Sequence, residues 1–291
     1  MASDFEAQVR ATNDRINART GRPLVRAIVV GLLLGLALLA SLLIVKELFM
    51  IFAGLLVGFT AWELASALRF AGRRVPRVPA LIAALAVVPA AFYWLAAGHW
   101  LVTLAGIALV VAWRLAELVR PAARTSPREV LLDLGAGVFI MMYIAFMAGF
   151  TVLLTAQDGG QVWTLAFLIV VVSVDVGAYA TGLTFGKHPM APTISPKKTW
   201  EGFAGSVAAA VFAGILTAIF MLGQPWWVGL ILGGVLVVTA TGGDLAESLI
   251  KRDLGIKDIS TWLPGHGGFL DRVDSSLLSG AAAYALFLVF T

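Results

Sequence analysis

Cysteine is absent from the 291 residues, which excludes a disulfide framework and any thiolate metal site. Charge is scarce. Only 13% of residues are Asp, Glu, Lys or Arg and 60% are hydrophobic, against about one quarter charged in an ordinary soluble domain. With a mean hydropathy of +0.92, these shortages exclude a soluble enzyme and define an integral membrane protein. There is no soluble second domain and no internal repeat. No small-residue cleavage pattern follows the polar N-terminus, so the first apolar stretch reads as a retained span.

What is present is a succession of apolar runs near the roughly 20 residues that a spanning helix needs. Nine stand out: 25–45, 48–68, 78–97, 100–118, 131–155, 162–183, 203–222, 226–246 and 274–291. The connections near Lys46-Glu47, Gly98-His99, 156–161 and Gln224-Pro225 are short. Those at 69–77, 119–130, 184–202 and 247–273 are longer and basic. With the N-terminus in the cytoplasm, every Lys and Arg except Lys46, out of 21, falls in or beside an inner segment, as the positive-inside rule requires. The pI of 9.6 therefore reads as membrane topology, with no nucleic acid as partner. The expected fold is all-α: a polytopic membrane protein with about nine transmembrane helices, a cytoplasmic N-terminus and an active site at the cytoplasmic membrane interface. It divides into a cytoplasmic segment 1–24, N-terminal spans 25–155 and a C-terminal catalytic region 162–291. In the first segment Ser3 and Glu6 have the spacing of a capping box. That segment reads as a surface-lying helix or as a loose tail.

The densest polar chemistry lies in residues 248–274, which hold four Lys/Arg and four Asp between two apolar runs. Asp244, Glu247, Ser248 and Lys251 recur at i, i+3, i+4 and i+7, one helical face. A carboxylate just inside the membrane boundary is a natural ligand for a hard cation such as magnesium, with Asp271 as its partner from the returning chain. Its bland alternative is a helix-end ion pair with Lys251. Pro264-Gly265-His266-Gly267-Gly268 has almost no side-chain bulk, so backbone N–H groups there can approach a phosphate. By itself such a run is a tight turn; flanked by Lys251, Arg252, Lys257, Asp271, Arg272 and Asp274 it is a phosphate site. His266 reads as a phosphate ligand, a proton donor or a cap of the turn.

Upstream, Asp175 lies inside the sixth span, where a charge costs roughly 2.5–3.5 kcal/mol and must face the bundle or a wet cavity. Ala178, Tyr179 and Gly182 share its helical face, small enough for a helix or ligand to come close. In the loop that follows, Pro189, Pro192 and Pro196 forbid helix. Lys187, Lys197 and Lys198 bring cations to the membrane surface, either as topology signals and lipid contacts or, with Ser195 and Thr199, as an anion pocket. Thr199 has the position of an N-cap for the seventh span. Glu63 and Glu117 are lone carboxylates expected to pair with a neighbouring arginine. Trp262 is the one tryptophan placed to touch a base or a headgroup.

Together these residues resemble the phosphatidate cytidylyltransferase family, also called CDP-diacylglycerol synthase. Its C-terminal signature, S-x-x-K-R, then K-D, then P-x-H-G-G-x-x-D-R-x-D, is matched by Ser248, Lys251, Arg252, Lys257, Asp258, Pro264, His266, Gly267, Gly268, Asp271, Arg272 and Asp274. Asp175 with Ala178-Tyr179 and Gly182, Phe185-Gly186-Lys187, Ser195 to Gly202, and Gly243-Asp244 before Glu247-Ser248 match as well. Leu183 departs from the pattern, standing where relatives often have a basic residue. The resemblance covers about the last 120 residues; before them only hydropathy is alike. It implies transfer of a cytidylyl group from CTP to phosphatidic acid, giving CDP-diacylglycerol and pyrophosphate. Asp244 and Asp271 would hold magnesium, with a second cation such as potassium left open. Asp244, Asp271, Lys251, Arg252 and His266 would form the catalytic set. Asp175, Tyr179, Lys187, Ser195, Lys197, Lys198, Thr199, Glu247, Ser248, Lys257, Asp258, Gly267, Gly268, Arg272 and Asp274 would bind substrate. It also implies a homodimer in the cell inner membrane. A CTP-dependent polyprenol or phytol kinase is the nearest alternative, and a transporter a more distant one.

Overall fold

The structure is a computed structural model that describes residues 24–120, 125–260, 262 and 267–291. The N-terminal segment with its Ser3–Glu6 pair, and Pro264, Gly265 and His266, lie outside the described residues. Nine helical stretches carry most of the described chain: α1 (Leu24–Ile44), α2 (Lys46–Phe70), α3 (Arg77–Tyr93), α4 (Leu95–Glu117), α5 (Pro127–Ala156), α6 (Gly160–Phe185), α7 (Trp200–Phe220), α8 (Trp226–Asp253) and α9 (Leu270–Phe290). Seven of them, α2 and α4 to α9, are long and apolar enough to cross a membrane, whereas Gly31–Ile44 and Arg77–Tyr93 are shorter. Each overlaps one of the nine apolar runs, because hydrocarbon forces backbone groups to bond within the helix.

The expectation of an all-α chain needs one correction. After α6, β1 (Pro189–Ala191) and β2 (Ser195–Thr199) form an antiparallel hairpin with Pro189 opposite Thr199 and Ala191 opposite Ser195. The prolines that forbid helix here leave backbone groups that pair across the strands instead. Trp200 N–H donates to His188 O at 2.9 Å and closes the hairpin against α7. Glu201 completes the closure by accepting from His188 Nδ1 at 2.5 Å and from the backbone N–H of Lys187 and of His188.

The third connection also differs. The chain reverses at Trp94-Leu95, four residues before Gly98-His99, with Leu95 at φ 51°. His99 therefore lies within α4, fully buried, and its Nε2–H donates to Phe146 O at 3.0 Å. Phe146 ends a π-helical stretch, Met141–Phe146, inside α5. The apolar runs carry no signal for such a stretch, because it keeps the residues apolar and changes only the hydrogen-bond register.

Core packing gathers in two groups. Helices α2 to α5 enclose Leu64, Val87, Ile140, Ile144 and Leu153. Helices α6 to α9 enclose Phe167, Val170, Leu232 and Leu236. Helix α9 serves both, with Leu270 and Leu277 in the first group and Ala283 and Phe287 in the second. Lipid offers no hydrophobic force between helices, so small residues that allow close approach decide where they pack. At Gly177 of α6 an added Cβ would stand 2.7 Å from Gly205 O of α7.

One end of the bundle is tied by Lys46, whose Nζ donates to Gln157 O at 2.7 Å, and by Gln161, which donates to Leu42 O at 2.8 Å. Lys46→Ala is expected to cost only about 1 kcal/mol, the net worth of one hydrogen bond. Thermal unfolding in detergent, followed by tryptophan fluorescence, checks this.

Candidate active site

A cavity of about 530 Å³ opens at the end of the bundle away from Lys46. Its wall comes from the C-terminal part of α6 (Asp175, Tyr179), the end of β2 (Lys197, Lys198, Thr199), the C-terminal half of α8 (Asp244, Glu247, Lys251), Asp258, and the start of α9 (Asp271, Arg272, Asp274). Beside it lies a cavity of about 310 Å³ lined by Ser195, Ser248, Arg252 and Lys257, with Lys197, Lys251 and Asp258 common to both.

Local structure explains the convergence. Helix α8 continues past its apolar run to Asp253, since Glu, Ser, Lys and Arg there prolong a helix once it leaves hydrocarbon. Asp244, Glu247, Ser248 and Lys251 thereby share one face, with Ser248 Oγ 3.4 Å from Asp244 Oδ1. Helix α9 begins at Leu270, four residues before its apolar run, so Asp271 occupies its first turn, where a carboxylate favours the helix dipole, and Asp274 follows just beyond it. Thr199 caps α7 as expected, its Oγ1 accepting from Gly202 N–H at 3.1 Å. Two helix N-termini thus border the polar end, and such termini attract anions.

The charges are interlocked. Lys198 Nζ lies 2.7 Å from Asp244 Oδ2. Lys251 Nζ contacts Asp271 Oδ1 at 2.8 Å and also pairs with Glu247. Asp271 Oδ2 accepts from Gly268 N–H at 2.7 Å. Glu247 is 1% exposed, and its Oε1 is buried without a hydrogen-bond partner. Arg252 reaches across to the hairpin, donating to Ile194 O at 3.2 Å.

Of the glycine motif, Gly267 and Gly268 are described, and the Gly268 N–H is taken by Asp271. Gly267 has φ +81°, and a Cβ on Gly268 would meet both carboxylate oxygens of Glu63 at 2.9 and 3.0 Å. Neither glycine lines a cavity, and neither does Lys187, whose backbone N–H donates to Glu201 at 3.1 Å.

Glu63 departs from expectation. It is 2% exposed and pairs with no arginine side chain among the described residues; it accepts from Ser260 Oγ at 2.5 Å, Phe269 N–H at 3.0 Å and Leu270 N–H at 3.0 Å. Its partners are some 200 residues away, beyond any local pattern. Glu117 does meet an arginine, Arg114, at 3.8 Å. Trp262 stands edge-on to Phe59 at 5.9 Å, and Phe59 stacks on Phe269 at 4.5 Å.

Six carboxylates and four cationic side chains line the larger cavity. That excess of hard anionic oxygen, with the partnerless Glu247 Oε1 among it, suits a divalent ion of the magnesium type. Among the described residues no group of three or more His, Asp or Glu side chains is arranged to hold a metal ion; magnesium takes only one or two carboxylates and completes its shell with water and substrate phosphates. The smaller cavity is the reverse, with Lys197, Lys251, Arg252 and Lys257 against Asp258 alone.

An acidic cavity and a basic cavity thus lie side by side at one end of a bundle whose helices are mostly long and apolar enough to cross a membrane. Sequence comparison supplies the class. Residues 25–290 match the Cytidylyltransferase family, and the chain belongs to it. It is similar to proteins named phosphatidate cytidylyltransferase. It is 42% identical to that of Mycobacterium tuberculosis (strain ATCC 25618 / H37Rv) over 92% of this chain and 83% of that protein. It is 38% identical to that of Mycobacterium leprae (strain TN), over 92% and 88%. To that of Brucella suis biovar 1 (strain 1330) it is 40% identical over 53% and 57%. Similarity therefore reaches well beyond the last 120 residues, into the N-terminal helices.

Proposed function

We propose that this protein is a phosphatidate cytidylyltransferase, joining the phosphate of phosphatidic acid to the α-phosphorus of CTP and releasing pyrophosphate. The observation that carries the reading is the larger cavity shared by Asp244 and Asp271, two carboxylates from different helices, beside a basic cavity. The names of the relatives support the substrates.

Both reactants are anionic, so the chemistry is mostly neutralisation and alignment. Lys197, Lys251, Arg252 and Lys257 form a clamp for the triphosphate, and the departing pyrophosphate stays within their reach. Lys198 and Arg272 hold the lipid phosphate so that its oxygen faces the α-phosphorus from the side opposite the leaving group. Asp244 and Asp271 would hold magnesium, which when bound there neutralises the α-phosphate and stabilises attacking and leaving oxygens. Asp175, Glu247 and Asp274 set the negative potential that draws the cation in, and a second cation such as potassium would share in neutralising the phosphates. Tyr179, Ser195, Thr199, Ser248 and Asp258 supply polar contacts at the cavity edges. Gly267 and Gly268 act on the substrate only indirectly, Gly268 through its N–H to Asp271 Oδ2, and Lys187 adds positive potential at the membrane surface. His266 is read with the phosphate ligands from its motif. No covalent enzyme intermediate is required.

The topology follows the same reading. Nine crossings with the N-terminus and the polar end on the cytoplasmic side of the cell membrane are supported by the placement of every Lys and Arg except Lys46. A homodimer is carried over from the resemblance to the family.

Purified protein incubated with labelled CTP, phosphatidic acid and magnesium is expected to yield CDP-diacylglycerol and pyrophosphate. Formation of CDP and a phosphorylated lipid alcohol would make it a kinase. Nucleotide-independent flux into liposomes would make it a transporter.

A further inference from the structure

We infer that Glu63, on a helix outside the C-terminal motif region, is the positioning residue that aims Asp271 into the active site. Glu63 sits near the end of α2, and its carboxylate accepts the backbone N–H groups of Phe269 and Leu270 as well as the Ser260 hydroxyl. The first N–H groups of a helix have no partner within it. α9 has no side-chain cap of its own, since Phe269 occupies that position. Glu63 supplies the cap from another helix, and as an anion it also suits the positive end of α9.

The cap is coupled to the site by two short links. Gly268 N–H donates to Asp271 Oδ2 at 2.7 Å, leaving Oδ1 to face Lys251. Gly268 is buried against the Glu63 carboxylate, so a side chain there would displace it. Phe59, one helical turn before Glu63, holds the same segment by stacking on Phe269 at 4.5 Å and 12°. One face of α2 therefore grips the start of α9 by a ring and by a carboxylate. The grip holds Ser260 on one side of the glycine motif and Phe269 and Leu270 on the other. Among the described residues Glu63 hydrogen-bonds to Ser260, Phe269 and Leu270, none of which lines either cavity, so its effect on turnover passes through Asp271, and the proposal rests on the reading of Asp271 given above.

The test compares the full-length purified wild type with Glu63→Gln, which keeps the size but loses the charge and one acceptor. In the variant, kcat is expected to fall about 100-fold, as displacing a reacting group by about 1 Å does. KM for phosphatidic acid should be unchanged. The magnesium concentration for half-maximal rate should rise about tenfold, as when a group that orients a metal ligand is lost. Without substrate, hydrogen exchange at Phe269 and Leu270 should speed up while peptides from α4 keep their protection. Gly268→Ala should reproduce these changes, and adding it to Glu63→Gln should cost nothing further, since both act on one contact.

Faster exchange with kcat and magnesium response unchanged would reduce Glu63 to a fold-stabilising residue and overturn the proposal. So would unchanged exchange. If Glu63→Gln does not fold, Ser260→Ala, which removes one of the three donors, must show the same magnesium shift on a smaller scale; a normal magnesium curve there overturns the proposal too. A wild type that makes no CDP-lipid fails the reading of the reaction. An active wild type with an unaltered Glu63→Gln fails this proposal alone.

Discussion

Asp271→Asn is expected to abolish cytidylyl transfer, lowering kcat by at least about 1,000-fold, or about 4 kcal/mol at 1.36 kcal/mol per tenfold. Asparagine is nearly isosteric, and its carbonyl oxygen can still accept from Gly268 N–H, the contact that seats the turn at 2.7 Å. The negative charge that faces Lys251 Nζ at 2.8 Å is lost. Lys251 keeps Glu247, so no cation is stranded and the fold should survive. What disappears is one of the two anionic oxygens proposed to bind the divalent ion, and an ion held there contributes several kcal/mol of transition-state charge stabilisation. Asp244→Asn should behave alike. Product formation from labelled CTP measures the effect, with tryptophan-detected melting as the control for folding. Normal turnover by either folded variant would remove the proposed metal site.

The second large effect concerns stability. Asp133→Ala is expected to destabilise the protein by about 3–5 kcal/mol, the cost of removing one partner of a buried ion pair. Arg114 of α4 is fully buried, and its Nε and Nη2 donate to Asp133 Oδ2 at 3.1 and 2.8 Å. Asp133 Oδ1 also accepts from Arg74 N–H at 2.9 Å, which ties the α2–α3 connection to α5. Without Asp133 the guanidinium keeps, among the described carboxylates, Glu117 at 3.8 Å. Replacing both partners with apolar residues of similar volume should recover much of the loss, because the desolvation cost then disappears as well. Melting of single and double variants in the same detergent measures the difference. A drop of less than about 1 kcal/mol in the single variant would place this pair with exposed ones.

The helices were legible because the bilayer imposes one length and one composition on anything that crosses it. Their ends were not. Hydropathy stops at the first cluster of charges, whereas α8 continues to Asp253 and α9 starts at Leu270, since a helix keeps its backbone bonds after it leaves hydrocarbon. The reversal at Trp94-Leu95 was hidden because Gly98 and His99 look like a turn and instead lie inside a helix. The hairpin at 189–199 was legible as non-helical from its prolines and not as strands, because two short strands have no alternation long enough to read.

The site was more legible than the fold around it. Asp244, Glu247 and Lys251 declared themselves by helical spacing, and Thr199 by its place at a boundary. The pairing of Lys198 with Asp244 and of Lys251 with Asp271 was not readable, since each joins separate elements. Glu63 was misassigned for the same reason: a carboxylate looks the same in sequence whether its partner is a nearby arginine or a distant helix end.

Tyr179 lines the larger cavity and is 72% exposed, and on the same outer stretch of α6 Leu183 and Phe185 are 73% and 67% exposed. The cavity therefore reaches the flank of the bundle, where acyl chains would lie. A lipid entering there need never leave its leaflet. The rate should then follow the mole fraction of phosphatidic acid in the surface, so that diluting it with inert lipid slows the reaction while diluting the vesicles in buffer does not.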